Sequence, residues 1–139
     1  MPEVFRYGAQ STWLEEPDLL GLKLVGVVSA EESHDFNAKQ VELCQGRTRV
    51  FMLVDMADFS SVSSAGRKHA SEGLHQMPLR GIAIHQAGIA ARVLGKLVVA
   101  GVQLFTKDES KRFPLEFFPT EAEARAWIDQ RRRELSSAA

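Results

Sequence analysis

Apolar and polar positions keep three different rhythms along this chain. Leu20, Leu22, Leu24 and Gly26 fall on one side with Lys23 opposite, the alternation of a half-exposed strand within residues 19–28. Val50, Phe51, Met52, Leu53 and Val54 run without interruption, too short for a helix and rich in strand formers, which predicts a strand covered on both faces. Ile89, Val93, Leu94, Leu97 and Val98 recur at helical spacing, with Arg92 and Lys96 on the other side, and predict a helix over residues 88–100.

Punctuation between these segments supplies the other elements. Val4, Phe5 and Tyr7, then Thr12, Trp13 and Leu14, precede a Pro17-Asp18 turn, so the first 28 residues read as two strands forming a hairpin. Ser29 and Glu32 have capping-box spacing and open a helix that runs to about Gln45, before Gly46, with Phe36, Gln40, Leu43 and Cys44 as its weakly apolar stripe. After the central strand, Asp55 and Asp58 mark an acidic turn and Ser60, Ser61, Ser63 and Ser64 lead into a helix ending at Met77, where Pro78 stops it. Residues 80–85 read as a short buried strand and residues 102–106, VQLFT, as the last strand. Residues 107–111 read as a charged turn. Residues 113–118, broken by Pro114, read as a short edge strand or an extended cover. Pro119, Thr120 and Glu123 start a final helix whose inner face is Ala124, Trp127 and Ile128, with a frayed tail from residue 134.

Strands separated by single helices require right-handed crossovers. The expected fold is therefore an α/β sandwich of four or five mostly parallel strands, an antiparallel N-terminal hairpin and about four helices, in one domain over residues 1–139. Composition agrees with a packed core: 45% of residues are hydrophobic and 25% charged. A net charge of −1 gives no electrostatic ground for nucleic acid or an anionic membrane as partner. With no apolar run of spanning length and no leader pattern, the expected location is the cytoplasm. The single Cys44 reads as a small buried residue.

Candidate chemistry concentrates where the central strand meets the next helix. Backbone N–H groups and the positive end of a helix dipole point outward at such a corner. The serines there serve either as caps or as phosphate acceptors beside Arg67 and Lys68. Asp55 and Asp58 read as turn carboxylates and lack the third oxygen-rich segment of a metal site. The histidines, His34, His69, His75 and His85, lack His-x-x-x-His spacing, so no metal and no cofactor are expected. A serine hydrolase using Ser63 or Ser64 with His85 would need a Gly-x-Ser-x-Gly elbow, which is absent. Val93, Leu97, Phe105 and Phe117 read as core, as a dimer surface, or as the wall of a pocket for a small apolar or acyl ligand.

The VDMADF stretch followed by SSVSSAG resembles the STAS family of anti-sigma factor antagonists and transporter domains. In bacterial members a hydrophobic-Asp-hydrophobic triplet ends the central strand and an Asp-Ser-Ser-Gly box opens the next helix. Aligned on Gly66, Ser63 takes the place of the box aspartate, Ser64 the first serine and Ala65 the second. The second serine is the family's phosphorylated position, so alanine stands here where the phospho-acceptor would be. The EAEARAWI phrase, residues 121–128, looks like the small bacterial STAS-like proteins of unassigned function. The resemblance implies a non-catalytic regulatory module with a protein partner and a working surface at Asp55, Asp58, Ser63, Ser64, Gly66 and Arg67; two copies meeting through an exposed remainder of the apolar stripe would instead form a homodimer.

Overall fold

The computed structural model describes residues 2–104 and 112–137. Six strands, β1 (Val4–Tyr7), β2 (Gln10–Glu15), β3 (Leu19–Val28), β4 (Val50–Val62), β5 (Leu79–His85) and β6 (Leu115–Phe118), form one mixed sheet in sequence order. β1, β2 and β3 are antiparallel neighbours, whereas β3–β4, β4–β5 and β5–β6 pair in parallel. The four helices are α1 (Ala30–Leu43), α2 (Ser64–His75), α3 (Ile89–Leu104) and α4 (Glu121–Ser137). The α/β class, the antiparallel start and the parallel remainder are as the pattern predicts. Among the described residues no helix is long and apolar enough to cross a membrane.

The uninterrupted run at the centre of β4 feeds two cores because successive side chains point to opposite faces. Val50, Met52, Val54 and Met56 pack with Phe36, Leu74 and Val99 beneath α1, α2 and α3. Phe51 and Leu53 pack with Leu19, Ala83, Ala124 and Ile128 beneath α4. Trp13 of β2 lies across Gly21 of β3, where a Cβ would meet the indole at 2.0 Å.

Several boundaries differ from expectation. The first 28 residues make three strands, because the Gly8 turn divides the opening pair, so the sheet has six. Residues 102–104 continue α3, and the last strand is Leu115–Phe118; Thr106 lies outside the described residues. The expected frayed tail is helical through Ser137, held by Leu135 on the core and by arginines that reach the sheet. Arg132 binds Asp18 at 2.7 Å, and the Arg131 guanidinium donates to the carbonyl of Arg80 at 3.0 Å. Asp18, read as a turn residue, is only 4% exposed, with Arg49 as a second partner at 3.6 Å.

Candidate functional site at the β4–α2 corner

The acidic turn expected after the central strand is strand. β4 continues through Asp55 and Asp58 to Val62, paired with β3 up to Val62 opposite Val28. The proposed surface is thereby divided. Asp55 sits between Lys23 and His85 in register, and its Oδ1 accepts from the backbone N–H of Ala57 at 3.0 Å. Ser63 lies eight positions farther along extended chain, roughly 25 Å away at about 3.3 Å per residue. Asp58, exposed, stands between the two groups opposite Val25.

The serine end is a compact arrangement. Ser63 is the N-cap of α2, with extended backbone, and its Oγ accepts from the N–H of Gly66 at 3.0 Å. Ser64 Oγ accepts from the Arg67 guanidinium at 3.1 Å, and Arg67 also donates to the carbonyl of Val62 at 3.3 Å. Ser63, Ser64 and Ala65 are exposed, whereas Gly66 is buried. A Cβ on Gly66 would meet Val62 Cγ2 at 2.6 Å, so glycine is required by close approach rather than by its dihedral angles. The hydroxyl of Ser33 donates to the carbonyl of Gly66 at 2.7 Å, and Asn37 donates to the carbonyl of Ser33 at 2.7 Å. Asn37 also packs on Gly73, so α1 and α2 touch along a seam of small and polar residues.

None of the histidines stands at the serine end. His85 is buried, bonds Gln86 Oε1 through Nδ1 at 3.0 Å, and has Nε2 4.0 Å from Glu121. It neighbours Asp55, not the serines, so the Ser–His pairing of a hydrolase is not assembled. His34 and His69 meet edge to face across α1 and α2 at 5.2 Å. Among the described residues no three metal-ligating side chains converge. Cys44 caps the end of α1, and burial pushes its thiol up to about 11, with Arg47 drawing it slightly back.

The apolar candidates turn out to lie on two sides of α3. Val93 and Leu97 are 54% and 59% exposed, and Ile89 is 86% exposed, so this stripe faces solvent. Phe117 is half-buried beside Gly95, and Phe105 lies outside the described residues. The opposite side of the helix, at Leu94, Gly95, Val98 and Val99, lines an open apolar pocket of about 110 Å³ over β3, β4 and β5. Phe36 and Gln40 of α1 and Ala70 and Leu74 of α2 complete its wall. Sequence reasoning missed the polar positions Ser33 and Asn37 on the inner side of α1. Their spacing with Gln40, at i, i+4 and i+7, is the one signal that could have found them.

No family model and no curated protein matches the chain by sequence. An uncharacterised protein of the DUF3478 family with a SpoIIAA-like fold, from Shewanella loihica PV-4, superposes with a TM-score of 0.59. It is 19% identical and covers 91% of each chain. The anti-sigma factor antagonist SpoIIAA in its unphosphorylated form superposes with a TM-score of 0.57 at 13% identity. That likeness covers 93% of this chain and 98% of the other.

Proposed function

We propose that a chain with this SpoIIAA-like fold works as a non-catalytic interaction module, contacting a protein partner through the β4–α2 corner. The observation that carries this reading is the exposed Ser63–Ser64 pair at a helix N-terminus, with Arg67 already bonded to Ser64. A partner carboxylate or a phosphate on Ser64 would meet both the free N–H groups and the guanidinium. A phosphate on Ser63 would instead displace the cap from Gly66, so the two hydroxyls give opposite responses. The placement of His85 beside Asp55 and away from the serine pair supports a role without catalysis, and the near-neutral charge supports a partner other than nucleic acid. Lysine-directed cross-linking in native cells tests the reading, because Lys68 is exposed on the first turns of α2. The expected result is a partner linked at Lys68 and lost when Ser63 and Ser64 are replaced by aspartate; partner links confined to other lysines would count against it.

A second reading, carriage of a small apolar ligand, is favoured by the pocket under α3. Its wall differs from the expected one: Val93 and Leu97 lie outside it and Val98 and Val99 within.

A further inference from the structure

We propose that the outer face of α3 docks on an anionic lipid bilayer, with Ile89, Val93 and Leu97 entering the headgroup boundary and Arg92 and Lys96 meeting the lipid phosphates.

Ile89, Val93 and Leu97 stand four residues apart and form one exposed row along the helix. Ala90 and Ala100 are exposed beside them and add no polar group. The row is a ridge, since Ile89 at the first turn keeps 86% of its surface in solvent. Burying such side chains is favourable wherever a partner can receive them.

Charge on the same helix is of one sign. α3 carries Arg92 and Lys96, again four apart, and no carboxylate. Both are exposed and lie on the flank towards β6, over the ring of Phe117 at 5.7 and 5.9 Å. Arg92 Nε also donates to the carbonyl of Ala87 at 3.2 Å, which holds its guanidinium in place. Neither cation is paired with a carboxylate among the described residues, and an aromatic face leaves their charge unneutralised. On the other flank α2 brings Lys68 and Glu72 near Gly101, so that border is balanced. The net charge of −1 gives the whole molecule no pull towards an anionic surface; the pull is local to this face.

Three occupants would cover an apolar row, and charge and area separate them. A second copy meeting through α3 would bring two more cations and no carboxylate from that helix. A folded partner of standard size covers roughly 800 Å² on each side, far more than three side chains on one ridge supply. A bilayer requires no matching shape. Apolar side chains sink to the acyl boundary while arginine and lysine keep their heads among the phosphates, which is the arrangement along α3.

Co-sedimentation of the full chain with vesicles of phosphatidylcholine, alone or mixed with phosphatidylglycerol, tests the proposal. Two cations near the surface should make partition into the mixed vesicles about thirtyfold stronger, and added salt should weaken it. Ile89→Ser, Val93→Ser and Leu97→Ser together should abolish binding to both. Arg92→Gln with Lys96→Gln should bring the mixed vesicles down to the level of phosphatidylcholine. Equal partition of the wild type into the two would overturn the role of the cations, and binding that survives the triple serine variant would overturn the role of α3. No binding to the mixed vesicles would overturn the bilayer as occupant. In that event a dimer in vesicle-free sedimentation, lost in the triple variant, would assign the ridge to a second copy, and a monomer would assign it to another protein. Should the triple variant not fold, the arginine and lysine pair decides on its own.

Discussion

Ser63 and Gly66 define the corner one atom at a time. The Ser63 hydroxyl satisfies an N–H that α2 would otherwise leave open, and an alanine there should cost about 1 kcal/mol in urea unfolding. Glycine at the same place should cost only a few tenths of a kcal/mol on the same measurement, because glycine is itself a favoured N-cap residue. Gly66 answers to a different constraint. Its replacement by alanine forces Val62 or the α1 seam to move and should destabilise by about 1–3 kcal/mol. The cap was legible in the sequence because serine before a helix has few competing meanings. The contact of Gly66 with Ser33 was not, because it joins residues 33 positions apart.

Among the elements, α3 shows where periodicity stops being informative. Apolar residues occupy most of its circumference, so spacing alone fits more than one buried side. The structure buries Ala91, Val99 and Val102 and turns Ile89, Val93 and Leu97 outward. Replacing Val93 by glutamate and Leu97 by lysine together should therefore shift the stability of the fold by no more than about 0.5 kcal/mol. Val99→Ala should cost about 2 kcal/mol by the same denaturation assay. β4 erred in the opposite direction. Asp55, Asp58 and Ser61 look like a turn by composition, yet pairing with β3 keeps them extended. At α4, Arg132→Leu should cost about 3 kcal/mol, read from a lowered unfolding midpoint, because it removes the nearest partner of buried Asp18.

For the molecule as a whole, α4 is fastened to the antiparallel end of the sheet by Arg125 and Glu15 at 3.0 Å. Burial pushes the Glu15 carboxyl up. Hydrogen bonds from Arg125 and Trp13, with the charges of Arg125 and Arg132, outweigh it and hold the group below its ordinary 4.5. Glu32 is held low as well, chiefly by the backbone N–H of Ser29 in the α1 capping box. A depressed carboxyl stabilises the fold above its ordinary value, and that contribution is lost as pH falls through the folded value. Urea midpoints should therefore drop as pH is lowered below about 4.5, and Arg125→Gln should flatten part of that slope. The overall architecture was readable because the βα alternation admits few topologies. The ties from α4 to Asp18 and Glu15 were not, since each spans more than a hundred residues of chain.

The length of β4 has one more consequence. Its last pairing with β5 is at Asp55, and no strand among the described residues lies beside residues 56–62 on that flank. Such a bare border is a template onto which a strand from another molecule can zip. The carboxylate of Asp55 takes the N–H of Ala57 just past that last pairing, and exposed Asp58 puts a charge on the strand beyond it. Charge on a border of this kind is one of the means by which a sheet is insulated from recruiting copies of itself in a crowded solution.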